Sequence, residues 1–161
     1  MQLRVAVCLV LFALVGFAAA DVVEDNAKAQ VIKFTSMLNT KMCPAMELLF
    51  VDGNQAVIMS NNQTFTPFSI CAATDAAFGM LYVEVDPATI VVAREVGTVI
   101  APGKLQGKVN GCSDEIISYD FVVSLKVQFS NVVGDGNLVP LIESAQVFYD
   151  TERVNNIMSC N

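Results

Sequence analysis

Apolar side chains recur at two different spacings along this chain, and the change from one to the other divides it. Val23, Ala27, Val31, Phe34 and Leu38 follow one another at steps of four and three, the spacing that lays a single apolar stripe along an α-helix. Asp21 with Glu24 three residues later makes a capping-box-like start. Cys43-Pro44 opens a second, shorter helix that carries Met46, Leu49 and Phe50, and Asp52-Gly53 stops it. Beyond that point the step becomes two. Gln55–Met59 reads as a short strand with Asn61-Asn62 as its turn. Met80–Val85 is a strand ended by Asp86-Pro87, and Thr89–Ile100 is another, ended by Pro102-Gly103. Between them, Thr64–Gly79 shows no clear period apart from one helical turn at Thr74-Asp75-Ala76-Ala77-Phe78.

The clearest strand runs from Ile116 to Phe129. Tyr119, Phe121, Val123, Leu125, Val127 and Phe129 alternate with Ser118, Asp120, Ser124, Lys126 and Gln128, and only Val122 breaks the pattern. One face is therefore buried and the other meets water. Asp135-Gly136 makes a hairpin turn, and Leu138–Tyr149 returns as the partner strand. Helices first and hairpin-linked strands afterwards define an α+β protein, with N-terminal helices packed on a mainly antiparallel sheet.

The first residues belong to a different class. Arg4 is their one charge; an apolar run from Val5 to Phe17 follows, then Ala18-Ala19-Ala20 before Asp21. These are the parts of a cleavable signal peptide, residues 1–20. The apolar run is short of the ~20 residues that a membrane anchor needs. Residues 21–161 then form a single secreted domain. Removing the signal takes Cys8 with it and leaves Cys43, Cys71, Cys112 and Cys160. An even number of cysteines on the oxidising secretory route reads as two disulfides. All three pairings are open by count; position favours Cys43 with Cys71, and Cys112 with Cys160. Asn62-Gln63-Thr64 is an N-glycosylation sequon, which asks for exposure. The whole chain carries a formal charge of −7, near −8 once Arg4 is removed. So acidic a domain, with its basic residues scattered singly, is a poor partner for nucleic acid or an anionic membrane.

The segments Tyr119-Asp120-Phe121-Val122-Val123, Gly136-Asn137-Leu138-Val139 and Val147-Phe148-Tyr149-Asp150-Thr151 resemble the last two strands of the nuclear transport factor 2-like, or SnoaL-like, superfamily. Arg94-Glu95-Val96-Gly97-Thr98 is similar to the strand before that pair. The resemblance covers roughly the C-terminal half, and the opening helix agrees in order. It implies a curved sheet wrapped around the N-terminal helix into a cone with an apolar cavity. The superfamily uses such cavities in isomerases, dehydratases and hydrolases of small hydrophobic molecules, or simply as binding or dimerisation modules, so fold leaves function open.

The chain contains no histidine, which removes Ser-His-Asp and Cys-His triads, histidine-ligated zinc and the commonest general base. Gly103-Lys104-Leu105-Gln106-Gly107-Lys108 has three residues between its glycines where a P-loop has four, and Val109 where one has Ser or Thr. It reads as a hairpin loop. No metal or cofactor motif is present. The catalytic candidates are Glu143 and Asp150. Glu143 shares a strand face with Val139, Leu141, Ala145, Val147 and Tyr149, where burial would raise its pKa as acid–base work requires. On the other reading Leu138, Ile142 and Phe148 form the buried face and Glu143 meets water. Asp120 lies on the polar side of its strand, and Asp150 is placed to cap a turn. Tyr82, Tyr119, Phe121 and Tyr149 are the candidates for lining a cavity. We therefore expect a secreted, non-catalytic domain that binds a small hydrophobic molecule or a protein, including a second copy of itself. The alternatives are a cofactor-free isomerase, dehydratase or hydrolase, and an interaction protein with a closed core.

Overall fold

The computed structural model describes residues 22–51, 56–59, 61–112, 116–131 and 138–159. The expected signal peptide, Asp21 cap, Asp52-Gly53 stop and Asp135-Gly136 turn, and Cys160, lie outside them. The first helix, α1, covers residues 22–39, and Ala27, Val31 and Phe34 on its stripe are buried. Its end is tied to the sheet through Asn39. The Asn39 Nδ2 donates to the Val83 carbonyl at 2.8 Å, and its Oδ1 accepts from the Val83 N–H at 2.6 Å. A side-chain amide thus occupies, for one residue, the open edge of a strand. The second helix, α2 (Cys43–Met46), begins with Pro44 in its first turn and tightens into a 3₁₀ turn over Glu47–Leu49.

Among the described residues seven strands make one sheet in the order β2-β1-β7-β6-β5-β3, with β4 also on β5. They are β1 (Ala56–Met59), β2 (Thr64–Phe65), β3 (Phe78–Val85), β4 (Val91–Ala93), β5 (Thr98–Val109), β6 (Ile117–Asn131) and β7 (Leu138–Tyr149). The β1–β7 pairing is parallel and every other pairing is antiparallel. Phe121, Val123, Leu125 and Val127 on β6 are buried, while Lys126 and Gln128 are exposed, as the alternation requires. One continuous core joins α1 to the inner face of the sheet, with Val31 and Phe34 in the same cluster as Val99, Leu125, Ile142 and Ala145.

Three stretches differ from the sequence expectation. Thr64–Gly79 holds β2 and an eleven-residue helix, α3 (Pro67–Ala77), not a single turn. Thr66 caps it: its hydroxyl accepts from the Ser69 N–H at 3.1 Å, and the Ser69 hydroxyl accepts from the Thr66 N–H at 2.8 Å. Second, Pro102-Gly103 ends nothing. The reversal comes earlier, at the 3₁₀ turn Arg94–Val96 and the left-handed Gly97 (φ 61°), and β5 then runs straight through Pro102 to Val109. Pro102 falls in the gap after β4, which reaches Ile100, and before β3, which starts at Gly103. Neither strand loses a ladder bond to it there. Gly103–Lys108 is accordingly strand, not hairpin loop. Third, β7 leads into a further helix, α4 (Thr151–Met158).

Cys43 and Cys71 are bonded, joining α2 to α3 across 28 residues of sequence. Cys112 is also disulfide-bonded.

Candidate functional site

Cone geometry leaves a cavity of about 260 Å³ between the helices and the inner face of the sheet. Phe34, Thr35 and Leu38 of α1 form one wall, and Ile70, Ala73, Thr74 and Ala77 of α3 a second. The sheet contributes Val57, Met59, Phe65, Phe78, Val83, Leu105, Tyr119, Phe121, Val123, Val147 and Tyr149, and Gln63 and Val154 complete the lining. No side chain among these carries a formal charge. The two threonines contribute little polarity, because their hydroxyl protons are used within the helices. Thr35 donates to the Val31 carbonyl at 3.1 Å and Thr74 to the Ile70 carbonyl at 2.6 Å.

Two glycines give the aromatic walls their space. A Cβ on Gly103 would stand 2.5 Å from Cζ of Phe121 and 2.8 Å from the Glu84 carbonyl oxygen, and one on Gly107 would stand 2.8 Å from Cδ1 of Phe78. Each ring lies over a strand position that only glycine leaves flat.

The polar end of the cavity is the Tyr119–Tyr149 pair, with ring centroids 6.5 Å apart and planes at 52°. Burial, reinforced by the neighbouring Tyr149, pushes the Tyr119 phenol from 10.0 up to about 12. Burial also raises Tyr149. Tyr119 is therefore a neutral hydroxyl throughout the physiological range, a hydrogen-bond donor held in apolar surroundings.

The other candidates are placed elsewhere. Tyr82, 52% exposed, points away from the cavity on the outer face of β3; only Tyr119, Phe121 and Tyr149 of the four aromatic candidates line it. Glu143 occupies a β-bulge: Lys126 pairs with Ser144 and Val127 with Ile142, which leaves Glu143 without a partner position. A bulge reverses which face alternate residues take. Before it Ile142 is buried, and after it Ala145 is buried while Val147 and Tyr149 line the cavity. Neither phase of the sequence reading therefore applies to the whole strand. The Glu143 carboxylate sits at the surface, 3.9 Å from the Lys126 ammonium. Asp150 caps α4, its Oδ1 accepting from the Arg153 N–H at 3.0 Å. Asp120 is exposed, and Asn62 sits exposed in a turn with φ 62°. Among the described residues no cluster of His, Cys, Asp and Glu could hold a metal ion, and no helix is long and apolar enough to cross a membrane.

The sequence reading missed the contributions of α3, Gln63 and Val154. Thr66-Pro67-Phe68-Ser69 held the signal for α3, and Asp150-Thr151-Glu152 that for α4.

This architecture, a mostly antiparallel curved sheet closed by helices around an apolar cavity, is the nuclear transport factor 2-like cone fold. Solved structures show the same. PrhC from Penicillium brasilianum is similar over 84% of this chain and 87% of its own, with a TM-score of 0.66 and 12% identity. A protein described as a scytalone dehydratase, from Novosphingobium aromaticivorans, is similar over 83% and 89% (TM-score 0.62, 13% identity). One described as a SnoaL-like polyketide cyclase, from Jannaschia sp. CCS1, is similar over 85% and 94% (TM-score 0.60, 15% identity). No protein-family model and no curated protein sequence matches the chain.

Proposed function

We propose that this chain is exported, takes one small, neutral, mainly hydrophobic molecule into the cone, and acts on it with its own side chains as an isomerase, dehydratase or cyclase. The observation that carries this reading is the neutral Tyr119 phenol in the lining of a mainly apolar, uncharged cavity. A ligand with an ionised group would lose its hydration there without gaining a counter-charge. A ligand with one carbonyl, ether or hydroxyl oxygen can place it on Tyr119 and bury the rest against Phe34, Phe121 and Val123. Tyr119 then donates a hydrogen bond to that oxygen and stabilises the negative charge that grows on it while water takes the proton lost from carbon in enolisation, elimination or ring closure. The fold neighbours described as a polyketide cyclase and a scytalone dehydratase support chemistry of this class. Export is supported by the oxidised state of Cys43, Cys71 and Cys112.

A second reading, carriage without turnover, is favoured by one feature: no lining side chain is a carboxylate or histidine that could take a proton at neutral pH. Both readings are tested on Tyr119→Phe. A neutral fluorophore such as N-phenyl-1-naphthylamine should bind one per chain and be displaced by the natural ligand, which mass spectrometry of the secreted protein's organic extract would identify. The variant should still bind the fluorophore. Its turnover of that ligand should fall about 10²–10³-fold, the usual effect of removing one such donor. Turnover unchanged in Tyr119→Phe rejects the catalytic role, and a cavity that takes up no neutral probe rejects both readings.

A further inference from the structure

One wall of the cavity is α3, yet the side chains of α3 do little to hold it there. Ile70, Ala73, Thr74 and Ala77 turn to the cavity, so much of their burial comes from whatever fills that space, and the two alanines have little surface to bury. Among the described residues, the hydrogen bonds that join α3 to another element lie at its C-terminal end. There the Asn110 N–H donates to the Ala77 carbonyl and Asn110 Nδ2 to the Ala76 carbonyl, each at 2.8 Å. The Lys41–Asp75 ion pair is nearly half exposed on both sides and holds weakly. The strand that leads in, β2, pairs with β1 over two residues. The N-terminal half of α3 is fixed covalently: Cys71 is bonded to Cys43 of α2, and α2 is itself anchored by the fully buried Met46.

The two sulfurs are also shielded. Cys43 is 7% exposed and Cys71 2%, and thiol–disulfide exchange needs a thiolate in contact with one sulfur. A reductant therefore meets the bond only when α3 lifts away from α2.

Given a cavity that takes up a neutral molecule, as proposed above, we infer that the Cys43–Cys71 bond is a redox latch on it. Closed, the bond holds α3 against the bound molecule. Opened, it frees the N-terminal half of that wall and the molecule leaves. The chemistry is exchange with a small thiol such as glutathione. One glutathione thiolate attacks a sulfur of the pair, and the other cysteine departs as a thiolate and takes a proton. A second glutathione attacks the mixed disulfide and releases the remaining cysteine and glutathione disulfide. Two glutathione thiols thus lose two electrons and two protons, and Cys43 and Cys71 each gain one of each. Such a protein keeps its molecule in oxidising surroundings and gives it up where small thiols are concentrated. Because binding and the disulfide equilibrium share α3, their coupling is reciprocal. Whatever factor reduction takes from affinity, occupancy of the cavity adds to the bond's resistance to reduction.

Equilibration of the disulfide-intact protein in glutathione buffers tests this, with N-phenyl-1-naphthylamine reporting on the cavity. Iodoacetamide trapping and mass spectrometry read the Cys43–Cys71 bond separately from that of Cys112. On reduction of Cys43–Cys71 the probe's dissociation constant should rise roughly tenfold or more, with far-ultraviolet circular dichroism close to that of the oxidised protein. Probe at a concentration that saturates both forms should shift the equilibrium constant for reduction by the same factor. Cys43→Ala/Cys71→Ala should bind as weakly as the reduced protein and be indifferent to the redox buffer. Unchanged affinity on reduction, or a shift that does not match the loss of affinity, overturns the latch and leaves the cavity reading standing. So does a reduced protein without its circular dichroism, whose bond serves the fold and not the cavity, or a double variant that still loses affinity in reducing buffer, which assigns the effect to Cys112. An oxidised protein that binds no probe overturns the cavity reading and the latch with it.

Discussion

Replacing Gly103 by alanine adds one methyl group where β5 passes beneath the Phe121 ring. The new carbon would stand 2.5 Å from Phe121 Cζ, 2.9 Å from its Cε1 and 2.8 Å from the Glu84 carbonyl oxygen. Unstrained carbon contacts lie at about 3.5–4.0 Å, so the ring must move by roughly 1 Å. It has somewhere to go, because Phe121 lines the cavity; the Glu84 carbonyl is backbone and yields only if β3 shifts. Overpacking of this kind costs about 1–3 kcal/mol, or a fall in Tm of roughly 3–12 °C for a domain of this size. The variant should also take up less of the neutral fluorophore, since the displaced ring occupies part of the 260 Å³. Urea melts of the wild type, Gly103→Ala, Phe121→Ala and the double variant supply the test. Phe121→Ala alone should cost about 3–5 kcal/mol. In its background Gly103→Ala should cost less, leaving only the clash with Glu84, with a coupling of about 0.5–2 kcal/mol. Strict additivity, or a Gly103→Ala protein with wild-type Tm and wild-type probe uptake, would show that the glycine does not make room for the ring.

Three further outcomes are expected. Leu125→Ala, at a fully buried position of β6, should cost about 2–5 kcal/mol, whereas exposed Gln128→Ala should stay within about 0.5 kcal/mol; equal losses in thermal melts would deny the register. A nonreducing peptide map should link Cys43 to Cys71 and Cys112 to Cys160. Breaking the first bond, across 28 residues of sequence, should cost about 3–4 kcal/mol on the chain-entropy account; a Cys112 peptide joined elsewhere ends the second pairing. Tyr119, raised from 10.0 to about 12 by burial, is protonated more strongly folded than unfolded. Its contribution is whole below pH 10 and is lost as pH rises through 12. Across that window the wild type should lose about 2–3 kcal/mol that Tyr119→Phe does not lose, read from urea melts at each pH with tyrosinate absorbance as the monitor.

Much of this was legible because it is local. The stripe of α1 and the alternation of β6 are periodicities within one segment, and each element buries the face that its own period defines. The Cys43–Cys71 bond also follows from sequence position. α3 hid because it has no single wet face: Cys71 turns to the disulfide with α2 while Ile70, Ala73, Thr74 and Ala77 turn to the cavity, so no clean stripe forms.

The amino-acid sequence by itself determined the α+β order, the inward face of β6 and the absence of histidine chemistry. Packing decided the rest. Glu143 reaches the surface because a bulge changes the phase of β7 against β6, and a pairing register belongs to two strands at once. Pro102 and Gly103 continue a strand because of where β3 and β4 start and stop beside them. The cavity, and the elevation of Tyr119 that gives it a polar end, exist only where α1, α3 and the sheet enclose the same space, since burial is a property of the surroundings that no residue carries along the chain.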